Sequence, residues 1–313
     1  MSGGARTRPG LLGLAGSIVG RLASSKKACV GAAIIVLLIA TGILAPVIAH
    51  GNPLAVVGPQ NAAPSARHLL GTTGQGGDVL AQVIWGARGS LTVGLLTGLA
   101  VTVIGVSIGL TAAYAGGVVD NVLTLLTNVF LVIPGLPLLV VMAAFLPRST
   151  FSVIFVLAIA GWAGMARVIR SQALSVVKRD YIAASKVIGE RGIRIIFVEV
   201  LPSLASLIAS GLFGAIAYGI AAQAALEFLG LGDLGSVSWG TILYWASNNE
   251  GLLQGAWWEF IPAGACIALA SGALALLNFA VDEVTNPRLR RLALPRVRRF
   301  GTARRIGGKA DVA

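Results

Sequence analysis

The chain has 313 residues, of which 56% are hydrophobic and 12% charged, and its mean hydropathy is +0.85. That balance lies outside the range of water-soluble domains and indicates a membrane protein. A formal charge of +12 could suit a nucleic-acid partner, but the cationic residues fall between apolar runs rather than on one soluble face, which argues against nucleic acid.

About 20 residues at 1.5 Å rise cross a hydrocarbon layer of about 30 Å. Six apolar runs approach or meet that length and predict an all-α polytopic protein: 28–49, 91–115, 122–146, 151–166, 204–226 and 261–281. They leave an N-terminal tail (1–27), a segment between the first two spans (50–90), a core of five spans (91–282) and a basic tail (283–313). Arg21, Lys26 and Lys27 ahead of the first run have the look of a signal peptide. A run of 22 residues exceeds a secretory core, however, and reads as a retained anchor. Cys29 in this run and Cys266 in the last have no metal-ligand or redox spacing and read as small apolar wall residues.

In the second run Gly105, Gly109, Ala113 and Gly117 recur every four residues, a stripe that lets a neighbouring helix approach closely. The expected use is packing within the chain. The fourth run is short, with Arg167 expected to snorkel from its end. With an even number of spans both termini share one side, and that side holds 21 of the 24 Lys and Arg residues. By the positive-inside rule it is the cytoplasm. Residues 227–260 carry four acidic residues and no basic one, and fall outside.

The cytoplasmic connection 167–202 has structure of its own. Asp180 can cap a short helix over 181–188, which Gly189 ends with a left-handed residue. A second helical piece over 193–200 gives way to Pro202, suited to the first turn of the fifth span. Tyr181, Ala184, Ser185 and Ile188 lie at i, i+3, i+4 and i+7, a narrow face that could sit in a groove of another protein or on the membrane surface.

Here the sequence resembles a known family. "DYIAASKVIGERGIRIIFVEVLP" resembles the EAA loop of permease subunits in binding-protein-dependent ABC importers, with Ala183, Ala184, Gly189, Leu201 and Pro202 at the positions of the alanine pair, the glycine and the Leu-Pro. Residues 68–95, 226–243 ("LEFLGLGDLGSVSWGTIL") and 278–290 ("NFAVDEVTNPRLR") are similar, in order, to stretches of the dipeptide/oligopeptide/nickel branch, and specifically to its second, DppC- or OppC-like subunit. Two departures stand out. Thr73 and Gly77 replace an acid and an arginine of that branch, while Gly71, Thr72, Gly76 and Asp78 are kept; Gln223 stands where a glutamate is common, and Glu227 where a serine is.

The resemblance implies a type I importer permease fold with a helix-turn-helix coupling loop, in the bacterial inner membrane. It implies a second permease subunit as partner, two ATP-binding subunits or one fused ATPase, and an extracytoplasmic substrate-binding protein. Asp180, Tyr181, Ala183, Ala184, Ser185, Ile188, Gly189, Leu201 and Pro202 would couple to the ATPase, with closure of the ATP-bound pair moving spans four and five as a lever. ATP-Mg is expected on those partners and no cofactor on this chain, whose nearest approach to a phosphate loop, Gly307-Gly308-Lys309, lacks the earlier glycine and the following hydroxyl. The permease would be non-catalytic.

Outside, the Gly230–Gly240 stretch, with Gly230, Gly232, Trp239 and Gly240, could dock the binding protein, while Trp257 and Trp258 suit headgroup anchoring. Asn128, Gln223 and Tyr218 are candidates for the translocation path, as are Tyr114 and Asn278, although each could equally pack between helices. No carboxylate is expected in mid-span, which counts against a proton-coupled carrier. Peptides are the leading cargo, with a nickel chelate, a glutathione-like compound or haem as alternatives. A passive channel and a membrane enzyme are the rival classes; for the latter, His50 and His68, the two histidines, share no span with a candidate serine nucleophile.

Overall fold

The computed structural model describes residues 25–285, so the N-terminal tail and the basic stretch from Arg288, with the end of the closing D-x-x-x-x-P-R-x-R element, lie outside the described residues. The described chain is helical: α1 (Lys26–Ile48), α2 (Val79–Ala115), α3 (Gly117–Val132), α4 (Gly135–Ala144), α5 (Thr150–Val177), α6 (Asp180–Val187) and α7 (Gly192–Arg194). A π-helical turn (Ile195–Val200), α8 (Leu201–Ser203), α9 (Ala205–Phe228), α10 (Trp239–Asn248) and α11 (Trp257–Thr285) follow. Among the described residues five helices are long and apolar enough to cross a membrane, and the bent pair α3–α4 makes a sixth.

The second and fourth of the expected spans run furthest past their charge-free cores. The second begins at Val79, where the Asp78 carboxylate accepts a 2.9 Å bond from the amide of Ala81 and caps the helix. Its 37 residues extend over about 55 Å, well beyond a hydrocarbon layer. The fourth runs on through Arg167 and Arg170 to Val177, so the first third of the expected cytoplasmic connection continues the same helix. Arg170 is tolerated there because Asp120 on α3 receives its Nε and a second guanidinium nitrogen at 2.5 and 2.7 Å.

The third span is not one helix. Pro134 lacks an amide hydrogen and drives Ile133 before it into an extended conformation, so α3 stops and α4 leaves at 90°.

Close packing rests on glycine. On α2, a Cβ at Gly105 would stand 2.7 Å from Met165 Cβ and one at Gly109 would stand 2.7 Å from the carbonyl of Ala166, so the small-residue stripe seats α5 within the chain. Gly117 does not belong to it: it opens α3 with a φ of +53°. Further along α2, Gly94 and Gly98 meet Ile220 and Ile216 of α9, whose Gly219 faces Gly94 in return. α5 and α9 thus gather round α2, with α1 and α11 closing the other flank, where Gly31 lies against the carbonyl of Ala273. Broad apolar surfaces stay exposed on α1 and on α3–α4, among them Ile43, Val132 and Phe145.

Candidate functional site

The segment between α5 and α9 is built to hold a short helix off the end of the bundle. Arg179, extended at φ −76° and ψ 147°, turns the chain out of α5 and precedes α6. Asp180 is therefore the first helical residue, not the expected cap, and its carboxylate acts through the positive end of the helix dipole. The far end closes by a double bond pattern, with Gly189 N donating to the carbonyl of Lys186 and Glu190 N to that of Ser185, which requires the left-handed φ of +85° at Gly189.

Which way α6 faces is decided by Ile182. It is fully buried, together with Ile195 and Val200 from the π turn, among Leu110, Ala113, Ile169, Ala173 and Val176 of α2 and α5. Tyr181 and Ser185 are consequently half-buried, whereas Ala183, Ala184, Val187 and Ile188 point outward. The expected face is rotated: Ala184 and Ile188 remain on it, Tyr181 and Ser185 are replaced by Ala183 and Val187. Val187 and Ile188 are 88% and 81% exposed, and Ile193, Phe197 and Val198 extend this apolar rim.

The expected second helix over 193–200 is a single turn, α7, followed by π-helical backbone. Leu201 and Pro202 form a further turn, α8, which Leu204 separates from α9 at φ −104° and ψ 1°. Tyr114, at the end of α2, straps the segment down: a Cβ at Gly192 would lie 2.8 Å from its hydroxyl, and Lys186 Nζ sits 5.0 Å from its ring centroid.

At the other end of the bundle the four glycine and tryptophan positions considered for docking are all buried. Trp239 is wedged against α2, its ring nitrogen donating to the carbonyl of Val83 at 3.1 Å and its amide to Ser90 Oγ at 3.0 Å. Gly230 ends α9 at φ +76° with the same double bond pattern as Gly189. Gly232 and Gly240 lie directly on the Glu227 side chain, where a Cβ would stand 2.5 Å from its Cγ and Oε2 respectively. These residues shape the α9–α10 joint from within and present no surface in this chain. Trp258 is likewise no headgroup anchor: it is 9% exposed and donates to the carbonyl of Thr72, pinning the 50–78 segment, while Trp257 is 49% exposed.

Glu227 falls in an outer loop by sequence and at the end of a helix in the structure. It ends α9 buried, accepting from Gln223 Nε2 at 2.9 Å and from Ser238 Oγ, whose own oxygen caps α10 in a capping box with Thr241. Gln223 is therefore enclosed in this network and does not line open space. Ser238→Ala removes both a helix cap and a donor to a buried carboxylate, and is expected to cost on the order of 2–3 kcal/mol, read as a lower melting temperature in detergent, with Ser238→Thr close to wild type.

Of the remaining path candidates, Tyr218 is half-buried against Gly161, and Asn278 lies near Gly214. Asn128 is exposed, and its Oδ1 accepts from Arg167 at 2.9 Å. That bond holds the Arg167 head against α3, where sequence reasoning expected it to reach for the membrane surface. His68 Nδ1 and Asp78 Oδ2 lie 2.8 Å apart beside a cleft of about 300 Å³ that His50 and Arg67 also line. Thr73 closes a turn by accepting from the amide of Gly77 at 3.0 Å.

Residues 105–291 match the family described as the binding-protein-dependent transport system inner membrane component. The chain is also similar to the dipeptide transport system permease protein DppC of Bacillus subtilis, at 32% identity covering 87% of this chain and 85% of that one. The oligopeptide transport system permease protein OppC of the same organism is 29% identical, covering 87% and 88%. A putative peptide transport system permease protein of Brucella suis is 30% identical, covering 86% and 90%.

Proposed function

Because the chain belongs to the family of binding-protein-dependent transport system inner membrane components, a multi-pass membrane permease of the DppC/OppC kind, we propose that it forms one half of the translocation path of an ATP-driven peptide importer. It pairs with a second permease subunit, receives cargo from an extracytoplasmic binding protein, and is driven by two ATP-binding subunits or one fused ATPase. Both termini and α6 face the cytoplasm, as the cationic residues require. Peptides are the cargo because that is what the related proteins are named for.

The observation that carries this reading is the outward rim of α6, Ala183, Ala184, Val187 and Ile188, on a helix fixed from behind by Ile182. An apolar rim with small residues in its middle fits a cleft on a soluble partner. A helix anchored to the ends of α2 and α5 passes a push on that rim directly into two spans. Single cysteines at Ala184 and Ile188 should crosslink to the ATPase subunit in the assembled complex. An intact complex in which no position from 183 to 188 ever crosslinks would overturn the assignment.

A further inference from the structure

Arg167 and Arg170 sit one turn apart on α5 and are used differently. Arg170 is committed to Asp120 as a two-bond ion pair, partly buried between α3 and α5. Arg167 is exposed, its guanidinium donates to the uncharged Asn128, and among the described residues no carboxylate pairs with it. A guanidinium has five donors in a planar fork suited to a carboxylate, so this head retains both its charge and most of its binding capacity.

Its surroundings are polar along the helix axis. Gly164, Arg167, Ser171 and Ser175 are exposed at spacings of three, four and four residues, one stripe on α5, about 16 Å long. Asn128 lies beside it on α3. Arg167 is about 15 Å from the Val177 end of α5, in a helix apolar enough to span. A charged and hydroxylated stripe at that position is costly against lipid tails and is expected against water or a polar path.

We infer that this stripe lines the inner half of the translocation path and that Arg167 is a specificity-determining contact for the C-terminal carboxylate of the passing peptide. The inference rests on the peptide-importer reading and adds to it the atom recognised. Asn128 orients the guanidinium, leaving the outer edge of the fork for the carboxylate.

The test uses the whole importer with its binding protein, reconstituted in liposomes with and without phosphatidylglycerol. ATP-driven uptake is measured for a labelled tripeptide and for the same peptide as its C-terminal amide, each divided by binding-protein occupancy. The wild type should favour the acid on the order of tenfold, Arg167→Gln should bring the ratio near one by losing acid uptake alone, and Arg167→Lys should keep most of the preference. Equal loss of both peptides, an unchanged ratio, or a loss that follows phosphatidylglycerol content would overturn it, the last pointing to a lipid phosphate. Wild-type complex that moves neither peptide with ATP would instead defeat the importer reading itself. Arg167→Met, also expected to bring the ratio near one, carries the test if the Gln variant does not assemble.

Discussion

Replacing Ile188 with glutamate is expected to abolish ATP-driven uptake, by on the order of a hundredfold or more, while the permease still folds and reaches the membrane. Ile188 is 81% exposed, so the chain itself loses almost nothing when a carboxylate takes its place. Seated in a partner's cleft the same change removes about 2–3 kcal/mol of apolar burial and adds the cost of desolvating an unpaired charge. Each 1.4 kcal/mol is a factor of ten in occupancy of the coupled state. Ala184→Trp, on the same rim, should do the same by bulk.

Ile182→Ala is the necessary contrast: it empties a fully buried site and should lower the melting temperature, at about 2–5 kcal/mol, as well as uptake. The measurements are uptake and binding-protein-stimulated ATP hydrolysis in proteoliposomes beside thermal unfolding of each variant. Uptake that survives Ile188→Glu and Ala184→Trp at wild-type rate would remove α6 from the mechanism and would favour a pore that needs no motor.

The number of spans and the position of α6 are legible because each depends on local features, namely runs of apolar residues and a glycine placed to end a helix. The direction in which residues point was not. The face of α6 was read from the spacing of Tyr181, Ala184, Ser185 and Ile188, but one residue outside that set, Ile182, is the one that α2 and α5 enclose, and it turns the helix. Gly230, Gly232, Trp239 and Gly240 look like an accessible loop in one dimension, and only the packing of α10 on α2 and on Glu227 shows them to be interior. By sequence span four stops at Arg167, because a cation ends an apolar run. The counter-charge that keeps Arg170 in the helix is Asp120, 50 residues earlier, beyond the reach of any window. The α3–α4 bend had a local signal in Pro134, which an otherwise unbroken apolar stretch concealed.

Gly98→Leu should be the most damaging single change in the bundle away from α6. A Cβ at this position would stand 2.8 Å from the backbone nitrogen and 2.9 Å from the Cα of Ile216, and would overlap the Ile216 side chain as well. Side chains can turn aside, but backbone in the middle of α9 cannot, so α2 and α9 must separate along their shared face. That face also seats Gly94 and Gly219, whose contacts open with it. The expected cost is about 3 kcal/mol or more, at the upper end of overpacking, because lipid provides no hydrophobic force to press the helices back together. Gly272→Leu is the matched control: on α11 nothing lies within 4 Å of the added Cβ, and the residue is exposed, so the same substitution should leave the melting temperature near wild type. The two variants differ only in what the new side chain meets. Thermal unfolding in detergent that ranked them equal, or placed Gly272→Leu lower, would mean that the α2–α9 crossing is not what holds the core, and that the close approach at Gly98 relaxes at little cost.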